Sequence, residues 1–334
     1  MILIAGATGY VGRYLCKEMV KSGYDILALG RSKKVASFFA NNNIPYQYFD
    51  ITSDDSYKQL PQNGVTAVIN LAALLAEHEV PVDKFFEVNT IGTYKLLEYC
   101  KQNNIKKFIL ASSHKVYNDI SNVSFIDETV FPCFNGDHTP YIISKIAAEN
   151  FVEYYNKAFG LLGLSLRLTG VHGYGEILGH LDKDGSYIKS TFEIFVEKAI
   201  KAEPIEVWGD VSQVRDHVYI KDVITAFIAA INSNSAKGIY NIASGQGISW
   251  LEEAQHIAEV FGPKQQNKSK IILRPDKTGL TRSYVYSIEK AKRDLQWEPQ
   301  YSYKLMLEDY KREQKNGLYH HYHYIKEDQR PATL

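Results

Sequence analysis

Cysteine is scarce and unpatterned in this 334-residue chain: Cys16, Cys100 and Cys133 are odd in number and far apart. That spacing spells neither a disulfide framework nor a zinc site and leaves reduced, structural thiols. Long apolar runs are missing too, since nothing approaches the roughly 20 residues that span a bilayer. Neither sign of charge is in excess: 38 Lys plus Arg stand against 38 Asp plus Glu, so no global field draws the chain to nucleic acid or an anionic membrane. No charged leader or cleavage site precedes the first apolar run, and there are no internal repeats or low-complexity linkers. The tail His320-His321-Tyr322-His323-Tyr324 has no Cys or carboxylate at metal-ligand spacing and reads as a solvated tail. These absences lead us to expect a cytoplasmic protein with no metal site and no membrane or nucleic-acid partner.

What is present is the composition of an ordinary globular protein, 45% apolar and 23% charged. The length can bury a large core, as one long α/β domain or as two lobes. Met1 to Ala5 is a short apolar run that fits a buried strand. Gly6-Ala7-Thr8-Gly9-Tyr10-Val11-Gly12 follows, and Arg13 to Lys21 reads as an amphipathic helix. Glycines placed there serve a tight turn, close backbone approach to a pyrophosphate and close helix–strand packing. The helix N-terminus adds unpaired N–H groups and a positive dipole end. Tyr24–Leu29, Pro45–Phe49, Val65–Asn70 and Lys107–Ala111 read as strands, and segments near 33–41, 84–103 and 141–159 as helices. Such alternation implies βαβ units and a parallel sheet. After Arg167 the pattern turns irregular, with Gly173, Gly175, Gly179 and Gly185 marking loops and Ile177–Ser190 a flexible flap.

Tyr141 and Lys145 stand four apart in Tyr-Ile-Ile-Ser-Lys, which puts both on one helix face. A free phenol has a pKa of about 10 and is a poor base at neutral pH, and an ammonium nearby favours the phenolate. With a hydroxyl such as Ser113, the pair can move a proton to or from a substrate oxygen.

Gly-x-x-Gly-x-x-Gly joined to Ser…Tyr-x-x-x-Lys resembles the short-chain dehydrogenase/reductase family, and the length and later motifs point to its extended branch of nucleotide-sugar epimerases and dehydratases. The resemblance covers nearly the whole chain. It runs through Asp50-Ile51, Asn70-Leu71-Ala72-Ala73, the Glu87–Thr93 stretch containing Asn89, and Ala111–Tyr117. It continues through Arg167–Gly175, Gln213–Val223, Tyr240–Ala243 and Leu295–Pro299. It implies a Rossmann-type doubly wound parallel sheet in residues 1–170, with 214–243 returning to it. A smaller substrate-binding lobe and tail then comprise 171–213 and 244–334. It also implies cofactor contacts at Gly6, Thr8, Gly9, Tyr10, Val11, Gly12, Arg31, Asp50, Ile51, Leu71, Ala72, Ala73 and Asn89, joined by Tyr141 and Lys145. By the same resemblance Tyr141 is the acid/base, Lys145 lowers its pKa, and Ser113 holds the reacting oxygen. Arg215, Arg274 and Arg282 are candidates for the substrate's pyrophosphate, because Arg offers planar, multi-donor cations. His172, His217 and Trp208 are expected to be packing residues.

The second strand ends Leu29-Gly30-Arg31-Ser32-Lys33-Lys34, without the carboxylate that would bind ribose hydroxyls and select NAD. Arg31 could hold a 2′-phosphate or only stack on adenine, so the cofactor is NADP or NAD, with the lean toward NADP. Family dehydratases carry Asp-Glu after the Ser or Thr; His114-Lys115 stands here, which disfavours that dehydration. The fucose-type epimerase-reductases have Cys where Lys115 stands. If the strand continues through His114 and Lys115, they point to opposite faces and at most one meets the substrate. The leading expectation is a nucleotide-sugar 4-epimerase working through a ketosugar. The alternatives are an NADPH-dependent ketosugar or carbonyl reductase and a non-catalytic dinucleotide-binding regulator. The resemblance further implies a homodimer that pairs the helices starting near Lys84 and Tyr141. Phe85, Val88, Tyr94 and Leu97 could form that face or pack on the sheet.

Overall fold

The computed structural model describes residues 1–75, 80–118, 125–132, 138–175, 179–181, 186–264, 268–279, 282–317 and 319. Seven parallel strands form the central sheet. From edge to edge they are Gly238–Ile242, Leu162–Leu168, Lys107–Ser113, Ala67–Asn70, Ile2–Ala5, Ile26–Gly30 and Tyr46–Tyr48. The inner strands are mostly apolar and almost wholly buried, as a sheet covered on both faces requires. The order in which successive strands are added reverses between Ile2–Ala5 and Ala67–Asn70. A doubly wound sheet opens its crevice at such a switch, outside the carboxyl ends of the strands.

Of the four predicted early strands, Tyr46–Tyr48 and Ala67–Asn70 lie within their predicted segments, Ile26–Gly30 starts two residues later and ends one later than predicted, and Lys107–Ser113 runs two residues further. The expected helix over 84–103 is instead three pieces: Val82–Phe85, a π-helical stretch Phe86–Ile91, and Gly92–Gln102. The later chain is more regular than its glycines suggest. Helices Thr191–Ile200 and Trp250–Phe261 each begin with a capping box, Ser190 with Glu193 and Ser249 with Glu252. Of the Ile177–Ser190 stretch, the described residues include the antiparallel pair His180–Leu181 and Tyr187–Ile188, with Gly179 N–H donating to the Tyr187 hydroxyl at 3.0 Å. Cys133 and the histidine tail fall outside the described residues.

Two aspartates tie the later chain together. Asp216 accepts from Ser244 N–H (2.8 Å), the Ser244 hydroxyl (2.7 Å), Gly245 N–H (3.2 Å) and Tyr286 N–H (3.1 Å). Asp222 accepts from Gln300 and Tyr301 N–H. Among the described residues no helix is long and apolar enough to cross a membrane. Of the four apolar residues expected at a dimer face, Phe85, Val88 and Leu97 are buried within the chain, and only Tyr94 is exposed. Along the same two helical stretches Val82, Ile91, Ile143, Tyr154 and Phe159 are exposed as well.

The Pro140–Phe159 helix is set against the sheet by a buried ion pair. Thr139 caps its first turn, Pro140 occupies its first position and Gly160, at φ 63°, ends it. On its inner face Glu149 meets Arg167 (Oε2 to Nη2 2.6 Å, Oε1 to Nε 2.9 Å), and the Ser112 hydroxyl donates to Glu149 Oε1 at 2.5 Å. All three residues are buried. Removing one partner of such a pair strands the other charge, at a cost of about 3–5 kcal/mol. Glu149→Ala should therefore lower unfolding free energy by about that amount in denaturant titrations, more than an exposed Glu153→Ala does.

Candidate active site

The glycine turn lies at the switch point. Gly6 has φ +78°, and a Cβ there would come within 2.4 Å of Ala72 N, so its backbone is pressed against Leu71–Ala72 in a way other residues cannot copy. Gly12 packs as closely, with a would-be Cβ 2.6 Å from Ala7 Cα. Gly9 is the N-cap of the Tyr10–Lys21 helix, and no side chain caps that end. The first-turn N–H groups are thus left for an anion. These residues fit a dinucleotide, whose pyrophosphate would meet this turn. After the second strand Arg31 is exposed. Burial pushes the Asp50 carboxyl up, but hydrogen bonds from Thr52's N–H (3.0 Å) and hydroxyl (2.8 Å), and then the charge of Arg31, hold it below its ordinary value.

Other residues expected at the cofactor have their side chains engaged inside the fold. Thr8 sits against Gly30, and Tyr10 reaches over Gly173 toward Ile220. Val11 packs on the core and Ile51 lies buried against Gly92. Asn89, carried in on the π-helical stretch, accepts from Leu74 N–H (2.7 Å) and donates to Leu74 O (3.0 Å) and the Ser144 hydroxyl (2.9 Å). Its amide fastens the loop after Asn70 to the Pro140–Phe159 helix. Leu71, Ala72 and Ala73 make up the start of that loop and are half-buried.

Ser113, Tyr141 and Lys145 come together at the carboxyl end of the central strands. Lys145 Nζ donates to Ala111 O at 2.9 Å and lies 6.0 Å from the Tyr141 ring centroid. Burial pushes the Tyr141 phenol above its ordinary value, and a hydrogen bond with Ser113 draws it part of the way back. This corrects the expectation from sequence: the countering pull comes from Ser113, and the Lys145 ammonium is itself lowered to about 8 by burial, against support from Glu149.

His114 and Lys115 do not continue the strand. Lys115 N–H donates back to Ser113 Oγ at 3.2 Å and turns His114–Tyr117 into a 3₁₀ helix. His114 goes inward, its Nδ1 2.8 Å from the Tyr286 hydroxyl. Burial and the charges of Lys115, His217 and Arg215 take it to about 3, so it is neutral at working pH.

The three arginines separate. Arg215 stacks over Trp250 at 5.2 Å and has a buried Nε without a partner among the described residues. Arg282 joins it around Tyr284, where both charges are felt. Arg274 sits on a separate ribbon, where Ile205–Trp208 pairs with Ile271–Arg274, and is held by Glu206 (3.0 Å) and Asp276 (2.9 Å). A candidate for the pyrophosphate, it has its charge answered by two carboxylates. Trp208, expected to pack inside, is exposed beneath Lys277 Nζ, 4.3 Å away. His172 and His217 do pack, their ring centroids 4.3 Å apart, with His217 Nε2 2.8 Å from Glu253. The Glu149–Arg167 pair and Trp250 were missed from sequence. Glu149 lies one helical turn beyond Lys145, a spacing that could have revealed it.

A doubly wound sheet with this glycine turn and this Ser–Tyr–Lys grouping defines an extended short-chain dehydrogenase/reductase. The sequence model of the NAD dependent epimerase/dehydratase family matches residues 2–243, which end just past the last sheet strand, and the chain belongs to that family. It is 26% identical over 304 residues to a putative UDP-glucose 4-epimerase of Methanocaldococcus jannaschii, covering 90% of this chain and 93% of that protein. Among solved structures it is similar to UDP-N-acetylglucosamine 4-epimerase from Bacillus cereus, with TM-score 0.73 and 26% identity, covering 92% and 94% of the two chains. It is also similar to UDP-glucuronic acid 4-epimerase from Bacillus cereus in complex with NAD, with TM-score 0.69 and 25% identity, covering 97% and 98%.

Between about 8 and the ordinary 10.5 the folded chain binds fewer protons at Lys145 than the unfolded chain does. Stability arising at this residue therefore rises with pH through that window, and its cost is fully present below it. In dinucleotide-free protein, Lys145→Met should gain most over wild type at pH 7 and lose that advantage by pH 10. Paired denaturant unfolding curves at the two pH values measure this.

Proposed function

We propose that the protein is a nucleotide-sugar 4-epimerase that interconverts two sugars through a 4-ketosugar. The observation that carries this reading is the Tyr141 phenol, hydrogen-bonded to Ser113 and four residues from a buried Lys145, at the carboxyl end of the central strands two strands from the glycine turn. Bound NAD or NADP supplies a hydride acceptor that then serves as donor. Tyr141 takes the proton of the sugar 4-hydroxyl as the C4 hydrogen leaves, and returns it after the ketosugar has turned its other face. Ser113 holds the reacting oxygen. Tyr141 and Lys145 act as a coupled pair: moving a proton from phenol to amine leaves the pair's proton count unchanged. Burial, by raising one group and lowering the other, favours the neutral pair over the zwitterionic one.

Arg215 and Arg282 bind the pyrophosphate, an assignment supported by the unpartnered Arg215 Nε and by their shared neighbour Tyr284. Arg274 would have to leave Glu206 and Asp276 to join them. The named relatives support a UDP-sugar. Arg31, exposed at the end of Ile26–Gly30 with no carboxylate before Asp50, supports NADP. The same observation favours a second reading, a net ketosugar reductase that consumes NADPH. Stoichiometry separates the two, since an epimerase turns over with catalytic dinucleotide. The chain works as a dinucleotide lobe, 1–170 with 214–243, and a substrate lobe from the remainder. It is a cytoplasmic homodimer that uses the exposed Ile91, Tyr94, Ile143 and Tyr154.

Tyr141→Phe should lower kcat by about 10²–10⁴-fold while dinucleotide affinity stays within twofold; wild-type turnover in that variant rejects the assignment. Arg31→Ala should weaken NADP about ten- to hundredfold, the loss of a charge-assisted hydrogen bond, with NAD little changed. Isothermal titration with each dinucleotide measures the difference.

A further inference from the structure

His114 and Lys115 part where the 3₁₀ helix begins. His114 is used up against Tyr286, whereas Lys115 stays exposed, and its Nζ lies 6.0 Å from the Tyr141 ring centroid. That is the same separation as Lys145 on the same ring, so two ammonium groups attend one phenol. Lys145 is buried and donates to Ala111 O. Lys115 pairs with no carboxylate among the described residues. Its backbone is fixed by the bond to Ser113 Oγ, so the side chain springs from the reacting end of the site.

We propose that Lys115 pairs with a carboxylate on the reacting sugar, and that the substrate is a nucleotide-linked uronic acid. This rests on the nucleotide-sugar reading above. Lys115 brings a cationic side chain to the reacting end of the site. A hexose bearing only hydroxyls has no charge to answer it. A pyrophosphate role is the competing explanation, but that end of the substrate has Arg215 and Arg282 around Tyr284, while Lys115 stands over Tyr141. A carboxylate beside a phenol that must lose its proton would oppose ionisation, and a cation between them offsets that repulsion. The uronate C6 carboxylate, one carbon removed from the ring and two from C4, is the group that meets these requirements.

The test compares UDP-glucuronate with UDP-glucose on the dinucleotide-loaded enzyme, by binding titration and by kcat/KM, in wild type, Lys115→Met and Lys115→Arg. Wild type should favour the glucuronate at least tenfold. Lys115→Met should lower the glucuronate-to-glucose ratio about ten- to hundredfold, the range of a charge-assisted hydrogen bond, and Lys115→Arg should restore part of it. An unchanged ratio in Lys115→Met overturns the proposal. Equal weakening of both sugars does so as well, because it assigns Lys115 to the pyrophosphate. So does a wild type that favours UDP-glucose or binds neither sugar. Failure of the epimerase reading shows separately, as unimpaired turnover in Tyr141→Phe, and leaves the binding ratio readable.

Discussion

The site is registered by one buried contact, the Glu149–Arg167 pair with Ser112 hydrogen-bonded to it. Ser112 precedes Ser113, Glu149 lies one turn beyond Lys145, and Arg167 is on the neighbouring strand, so three elements meet at a single carboxylate. Isolated ions are costly to bury, and the arrangement persists because each oxygen of Glu149 is hydrogen-bonded. It cannot slide by one residue without exposing a bare charge to the interior. That fixes the height of Tyr141 relative to Ser113. The same carboxylate favours the ammonium of Lys145 against the burial that works to neutralise it. Geometry and electrostatics at the proposed acid/base thus share one source.

Around this centre the structure spends polar groups on rigidity. Asn89 uses its whole amide to bolt the loop after Asn70 to the helix that carries Tyr141, and Asp216 gathers four donors from two later segments. The residue before Asp216 is Arg215, whose guanidinium is steadied by Trp250. Among the described residues the polar groups left for a ligand are few: first-turn N–H groups of the opening helix, the exposed Arg31 and Lys115, the Ser113 and Tyr141 hydroxyls, and the arginines around Tyr284. Such sparing use of free polar groups is what an orienting pocket needs.

What could be read from sequence was what neighbours in sequence determine. The glycine turn, the strand–helix alternation and the four-residue spacing of Tyr141 and Lys145 are local, and the structure reproduces them. Features that depend on distant partners were not legible. Arg274 looked available until the parallel ribbon brought Glu206 beside it. The π-helical stretch has no composition of its own; it arises where Asn89 must reach Leu74. His114 and Lys115 were expected to alternate across a strand, but Lys115 N–H finds Ser113 Oγ and the strand stops. Phe85, Val88 and Leu97 could have faced a second copy or the interior, and only packing inside the fold decided it, Phe85 against Tyr141 and Ile142 and the other two in the core beside the sheet. The height of the Tyr141 phenol's pKa depends on burial, which spacing alone does not reveal.

The sheet's outermost strand, Gly238–Ile242, comes from far down the chain and pairs with Leu162–Leu168. During synthesis Leu162–Leu168 is finished long before its partner emerges, and at ribosomal speed the gap lasts on the order of several seconds. Throughout it a long apolar edge with unpaired amides lies open, the kind of surface that recruits foreign strands. The nascent chain therefore passes through an interval in which its reactive residues already exist but its β-layer is unsealed, and chaperone dependence should concentrate there.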